Sequence, residues 1–131
     1  AATRGGFDRV VNSIVGKERL AKLDVVIAGD DVTAKKPDPM IYNLAAERLG
    51  LSKTACVVIE DSMVGLRAAT SAGMPCLITY TASTATEDFY GQGANAKVPD
   101  LGVGVTLETL FDLAAGAPLA ELASGVRDSR P

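Results

Sequence analysis

The chain has 131 residues and carries 13 Lys and Arg against 16 Asp and Glu, a net charge of −3. With 47% hydrophobic and 22% charged residues, this composition is typical of one globular domain with a buried core. The absence of a basic block argues against a nucleic-acid-binding module, and no apolar run is long enough for a membrane span. The opening residues have neither an initiator Met nor an apolar leader, so we expect a processed or incomplete N-terminus.

The side chains available for catalysis are restricted because the chain has no histidine. This excludes Ser-His-Asp and Cys-His nucleophiles and every histidine-containing zinc site. The two cysteines, Cys56 and Cys76, each fall in an apolar stretch. A disulfide between them stays open, but two buried thiols are favoured. Any chemistry must use carboxylates, lysine, hydroxyls, backbone amides or a hard metal ion.

The first two thirds of the chain alternate between helical and strand patterns. A helix over residues 7–15 ends at Gly16, and a β-branched run over 25–29 predicts a strand buried on both faces. Asp38 as N-cap and Pro39 at the first helical position predict a helix that ends at Gly50. A strand over 56–59, a helix over 63–72 and a strand over 76–80 follow.

The pattern is less regular after Tyr80. Residues 87–90 predict a short helix, 96–98 a small edge strand that Pro99 stops, and 107–114 a last amphipathic helix. Residues 124–131 are expected to form a frayed tail. The order predicts an α/β fold, a parallel sheet with helices on both faces.

Two features follow strands of this predicted sheet, where open parallel sheets bind ligands. Glu60 and Asp61 follow the second strand, and paired carboxylates before a helix suit Mg²⁺, with Gly65 permitting close approach of a ligand. Lys36 follows the first strand and is held by Pro37, so its ammonium could bind a phosphate. Each feature has an ordinary alternative explanation. The acids can simply stabilise the start of the next helix, and Lys36, like its neighbour Lys35, can be a solvated loop residue. Taken together, the two features indicate Mg²⁺-assisted phosphoryl chemistry.

These residues resemble the haloacid dehalogenase (HAD) superfamily, in its CbbY-like and beta-phosphoglucomutase-like branch. The matching stretches are KKPDPMIYNLAAERLGL, CVVIEDSMVGLRAATSAGMPCLIT and, more loosely, TASTATEDF. Lys-Pro-x-Pro followed at this distance by Glu-Asp-Ser-x-x-Gly is the specific part of the match. The resemblance implies a Rossmann-like three-layer core over residues 1–98, while 99–131 form a helix and tail outside it.

The resemblance also implies roles for individual positions. Lys36 matches the catalytic lysine that stabilises the nucleophile and the transferred phosphoryl group, so it also contacts substrate. Glu60 and Asp61 match the acidic pair that places Mg²⁺, with Asp61 the surer ligand. Thr3 is the nearest candidate for the hydroxyl residue that binds phosphoryl oxygens, although the match there is poor and that residue can equally precede Ala1.

The chain also departs from the family pattern. No Asp-x-Asp occurs in it, whereas the family's Asp-x-Asp-Gly-Thr motif supplies the nucleophile and the general acid/base. The substrate-selecting cap domain is absent too, so the HAD core is expected to be incomplete. The strand that carries the nucleophile lies at the centre of this fold, between the strands near Val25 and Val57. We therefore expect a missing segment or a partner chain to fill that gap, or the sheet to rearrange, and the chain alone to be inactive.

Two candidate functions follow from these residues and from the resemblance. The first is the C-terminal part of a Mg²⁺-dependent, CbbY-like sugar-phosphate phosphatase, with a phosphomutase outcome also open. The second is a non-catalytic structural or assembly subunit derived from such a hydrolase. A phosphate-accepting receiver domain built on Asp30 and Asp31 is disfavoured, because Lys36 comes too soon after them. The resemblance implies a phosphorylated sugar as substrate, and the chloroplast stroma or a bacterial cytoplasm as location.

Overall fold

The computed structural model describes residues 2–102 and 104–115. Five α-helices lie in this part of the chain: α1 (Arg4–Val10), α2 (Lys17–Leu20), α3 (Met40–Leu49), α4 (Met63–Ala72) and α5 (Leu107–Ala114). A π-helical turn, Val11–Val15, extends α1, and 3₁₀ turns occupy Gly29–Asp31 and Lys53–Ala55. The strands are β1 (Val58–Glu60), β2 (Cys76–Thr79) and β3 (Ala96–Val98).

The three strands form one parallel sheet in the order β1-β2-β3. Glu60 at the end of β1 is opposite Ile78, and Thr79 at the end of β2 is opposite Val98. Helix α4 provides the crossover from β1 to β2, and it ends at Gly73 in the left-handed conformation that glycine adopts most easily. The α/β, Rossmann-like fold predicted from the sequence is confirmed, with a small sheet.

Helices cover both faces of the sheet. On one face, Leu66 of α4, Ile78 of β2 and Phe89 of the following loop are fully buried in one cluster, which includes Ala46 of α3. On the other face, Leu113 of α5 packs with Leu77 and Val98. The predicted helix over 107–114 is confirmed, and Thr106 caps it by accepting a hydrogen bond from the Thr109 N–H. The chain thus forms three layers.

The predicted strand over residues 25–29 is wrong. Residues 25–28 belong to no strand, and Gly29 begins a 3₁₀ turn. The Gly29 N–H donates to the Ala2 carbonyl, and the Ala28 N–H donates to an Asp31 carboxylate oxygen. A parallel strand needs a neighbour to receive its backbone hydrogen bonds. Among the described strands, β1 pairs only with β2, so its other edge has no strand partner in this part of the chain.

The predicted helix over residues 87–90 is also wrong, because successive turns occupy this segment. The Asp88 carboxylate accepts from the Gly91 N–H, which satisfies the backbone locally, as aspartate commonly does in turns. Helix α3 begins at Met40, one residue later than predicted, with Pro39 at its N-cap. The Asp38 carboxylate still accepts from the Met40 N–H at 2.9 Å, so it holds the helix start from outside.

Both cysteines are free thiols, as favoured by the sequence, with Cys76 buried and Cys56 half-buried. No helix in residues 2–102 and 104–115 is long and apolar enough to cross a membrane. The tail predicted over residues 124–131 lies outside the described residues.

Candidate phosphate and metal site

The centre of the candidate site is an ion pair between Lys36 and Glu60. Lys36 lies in the turn that precedes α3, and Glu60 is the last residue of β1. The Lys36 Nζ donates a hydrogen bond to the Glu60 Oε1. The side chains are 24% and 9% exposed, respectively, so the lysine can still meet a ligand from solvent. The two residues that sequence reasoning singled out separately are therefore in direct contact.

Tyr42 joins this pair from the first turn of α3, and sequence reasoning missed it. Its hydroxyl donates to the same Glu60 Oε1, and the Lys36 Nζ lies 5.1 Å from the centre of its ring. Burial, followed by the hydrogen bond and negative charge of Glu60, raises the pKa of the Tyr42 hydroxyl well above its usual range. The available signal was a tyrosine six residues after Lys36, at the start of the helix that Lys36 precedes.

Gly65 in α4 makes room for the Glu60 carboxylate. A Cβ atom at this position would overlap the Glu60 carboxylate, whose Oε2 lies closest. The space that we expected to admit a ligand is thus occupied by this carboxylate. Ser62 is the N-cap of α4 and accepts from the Gly65 N–H at 3.1 Å. The helix-start explanation therefore fits Ser62, whereas Glu60 contacts Lys36 and Tyr42.

Asp61 follows Glu60 directly and is exposed. No hydrogen bond or ion pair to its carboxylate occurs within residues 2–102 and 104–115. An exposed carboxylate without a protein partner is free to bind a ligand from solvent.

Lys35 has a different role from its neighbour. Its Nζ donates to the carbonyls of Gly29 and Val32, the latter at 3.0 Å, so it closes the loop between the 3₁₀ turn and α3. The two neighbouring lysines therefore differ in their hydrogen-bond partners: Lys35 donates to backbone carbonyls, and Lys36 donates to a carboxylate.

Thr3 is placed at the start of α1, where its hydroxyl accepts from the Gly6 N–H at 3.1 Å. No hydrogen bond between Thr3 and the Lys36–Glu60 pair is found in the described residues. Nearby, Asp31 accepts from the Ala28 N–H and pairs with Arg4, and this hydrogen bond and charge hold the pKa of Asp31 below its usual range. The aspartate pair disfavoured as a receiver site thus includes a structural residue.

The charges of the site also affect Cys76, which lies buried at the start of β2. Burial, together with the negative charge of Glu60, raises the pKa of the Cys76 thiol to about 12, although Lys36 acts in the opposite direction. The thiol is therefore protonated and inert at neutral pH. The groups that remain for chemistry at this site are the Lys36 amine, the Glu60 and Asp61 carboxylates and the Tyr42 hydroxyl.

One edge of the sheet thus carries an ammonium that can neutralise an anion and an exposed carboxylate that can hold a hard cation.

Comparison with known proteins identifies the family to which this chain belongs. A model of haloacid dehalogenase-like hydrolases matches residues 2–73. A haloacid dehalogenase-like hydrolase domain-containing protein of Arabidopsis thaliana is 48% identical over 77% of this chain and 34% of its own length. Protein CbbY of Rhodobacter capsulatus is 36% identical over 79% of this chain and 45% of its own.

The fold gives the same result. The crystal structure of CbbY from Rhodobacter sphaeroides, solved in complex with phosphate, is 37% identical and superimposes with a TM-score of 0.64 over 70% of this chain and 40% of that one. A variant of that protein has been solved in complex with xylulose-(1,5)bisphosphate. The chain spans less than half the length of these relatives. By sequence and by fold, it belongs to the haloacid dehalogenase-like hydrolase family.

Proposed function

We propose that this chain provides the lysine and acidic half of a Mg²⁺-dependent phosphatase site for sugar phosphates. The observation that carries the proposal is the contact between Lys36 and Glu60 at the carboxyl end of β1, beside the exposed Asp61. The CbbY structures, which hold phosphate and a sugar bisphosphate, support this choice of substrate class. A phosphomutase outcome uses the same residues, because the acceptor, water or sugar, is selected elsewhere.

The donor atoms of the site fit a hard cation only in part. Asp61 offers a free carboxylate, whereas the Glu60 Oε1 already accepts from Lys36 and Tyr42 and its Oε2 packs against Gly65. No group of three or more acidic, histidine or cysteine side chains that could hold a metal exists in the described residues. Mg²⁺ accepts such a sparse protein set because it retains waters and takes phosphate oxygens as ligands. When bound, it supplies positive charge that stabilises a phosphoryl group under attack.

Lys36 performs the part of the reaction that this chain supplies. Its side chain is 24% exposed, so its ammonium binds a phosphoryl oxygen on the solvent side while Glu60 holds it from the protein side. This contact orients the phosphate and neutralises the charge that develops during transfer. Thr3 stays a prediction for substrate binding: its oxygen accepts from the Gly6 N–H, and its hydroxyl hydrogen can still donate to a phosphate.

The attacking group must come from another polypeptide segment, because the sequence has no Asp-x-Asp. In-line attack by an aspartate on the phosphorus would break the bond to the sugar oxygen, which the general acid of the same motif protonates, and water would then hydrolyse the aspartyl phosphate to inorganic phosphate. We therefore propose that the 131-residue chain is inactive by itself.

The open edge of β1 is where such a segment would add. Apolar cavities of about 330 and 210 Å³ flank α3, one towards residues 23–27 and the other towards residues 56–59. Ile59 on β1 is 42% exposed. A parallel strand inserted between residues 25–28 and β1 would bury this surface and pair backbone groups that lack a strand partner. The same open edge also favours the second candidate, an assembly subunit whose edge is filled by another protein.

The experiment that tests the proposal is complementation. The chain is mixed with the N-terminal part of Rhodobacter sphaeroides CbbY that it does not match, and Mg²⁺-dependent hydrolysis of p-nitrophenyl phosphate is measured. Turnover that requires both polypeptides, and that Lys36→Ala reduces by at least 100-fold, supports the phosphatase. Stable association without turnover favours the assembly subunit. A chloroplast location, with a bacterial cytoplasm as the alternative, stays a further proposal, which import of the protein into isolated chloroplasts tests.

A further inference from the structure

Tyr42 is the one aromatic side chain that contacts both charged members of the pair in the described residues. Its hydroxyl and the Lys36 ammonium donate to the same oxygen of Glu60, and its ring lies beneath that ammonium. The three side chains form a closed triangle of contacts. A lysine side chain has four rotatable bonds, and this triangle restrains its end from two directions.

We propose that Tyr42 is a positioning residue of the phosphate site, holding Glu60 through its hydroxyl and the Lys36 ammonium through its ring. The proposal rests on the proposed function, since it assigns how the phosphate-binding lysine is aimed. It differs from a packing role, in which the ring alone would matter and the hydroxyl would be dispensable.

The hydroxyl matters because it helps to fix the orientation of the Glu60 carboxylate that holds Lys36. With two donors on Oε1, rotation of the carboxylate is fixed, and Oε2 is directed against the first turn of α4 at Gly65. Loss of the hydroxyl leaves Lys36 as the sole partner of Oε1 among the described side chains. The carboxylate can then rotate and take the lysine with it, away from the face of the ring.

The chain itself permits a direct test by NMR with ¹³C-labelled lysine. Protons held over the face of an aromatic ring are shielded, so the Lys36 ε-methylene signal should lie upfield of the exposed lysines in the native protein. The signal is assigned by its absence in Lys36→Met. Tyr42→Phe keeps the ring but removes the hydroxyl, and we expect the upfield shift of Lys36 to fall by at least half.

Tyr80→Phe is the matched control. The Tyr80 ring also carries a lysine ammonium at 5.1 Å, that of Lys97. This variant should leave the Lys36 signal unchanged, and Tyr42→Phe should leave the Lys97 signal unchanged. A Lys36 shift that stays at its native value in folded Tyr42→Phe would overturn the proposal and assign Tyr42 to packing alone.

A second measurement connects position to function. In the complemented mixture, Tyr42→Phe should lower kcat about tenfold with less than a twofold change in KM, since the phosphate still binds but is poorly aligned. Unchanged kcat would refute a catalytic consequence of this positioning. If the mixture shows no turnover at all, the proposed function fails, whereas the NMR comparison still decides whether Tyr42 positions Lys36.

Discussion

Replacement of Lys36 by methionine tests how strongly the ion pair is built into the fold. The change keeps the length of the side chain but leaves the Glu60 carboxylate, 9% exposed, without its cation. Breaking a buried pair by removing one partner costs about 3–5 kcal/mol. Because Lys36 is 24% exposed and Tyr42 still donates to Glu60, we expect a loss of about 2 kcal/mol in the free energy of unfolding. For a domain of this size, that corresponds to a fall of roughly 8 °C in Tm.

The reverse variant should cost less. Glu60→Gln leaves a lysine that can reach water, so we expect a loss of about 1 kcal/mol. In the double variant, Lys36→Met with Glu60→Gln, the unpaired charge is gone, and the loss should be smaller than the sum of the two single losses. Urea unfolding followed by circular dichroism measures all three. Equal losses of unfolding free energy in the two single variants would refute a buried ion pair between Lys36 and Glu60. A loss in the double variant equal to the sum of the two single losses would refute it as well.

Three further outcomes follow from the site. Asp61→Asn should leave the free energy of unfolding within about 0.5 kcal/mol of native, since the Asp61 carboxylate has no partner in the described residues. The same variant should abolish Mg²⁺-dependent turnover in the complemented mixture. A large loss of stability would instead show a structural role for Asp61. Ser62→Ala should cost about 1 kcal/mol in urea unfolding because the Gly65 N–H loses its cap, whereas the same change at the exposed Ser71 should cost little. Cys76, with a pKa near 12, should resist a thiol reagent at pH 8 while half-buried Cys56 reacts, and modification of Cys76 first would contradict its burial. Folding raises the pKa of the Cys76 thiol from a value near 9 in the unfolded chain. The contribution of this thiol to the free energy of unfolding is therefore full below pH 9 and is lost as pH rises from 9 towards 12.

Local signals in the sequence were sufficient for the helices that carry the site. A helix over residues 63–72, closed by Gly73, was predicted, and the helix occupies that range. The β-branched run before Glu60 correctly placed an acidic pair at the end of a strand. Proximity of Lys36 and Glu60 was expected because each follows a predicted parallel strand, and the contact forms although residues 25–28 are in no strand.

Features that depend on distant partners could not be predicted in the same way. The run over residues 25–29 has the composition of a strand, but strand formation requires a neighbour, and none of the described strands lies beside it. Tyr42 was not singled out, since its position in the sequence does not show that its hydroxyl meets Glu60 at the end of β1. The space at Gly65 was recognised, but its occupant, the Glu60 carboxylate, emerges only from the packing of α4 on β1.

Hydrolysis of a simple phosphate ester shows whether this chain carries half of a phosphatase site or a complete one. The 131-residue chain, assayed with p-nitrophenyl phosphate and Mg²⁺, should show no turnover above buffer, because it brings the amine and the acids without an attacking carboxylate. Addition of the CbbY N-terminal part should produce turnover that disappears with Lys36→Ala. Turnover by the chain alone, or complemented turnover that survives the loss of Lys36, would contradict the account.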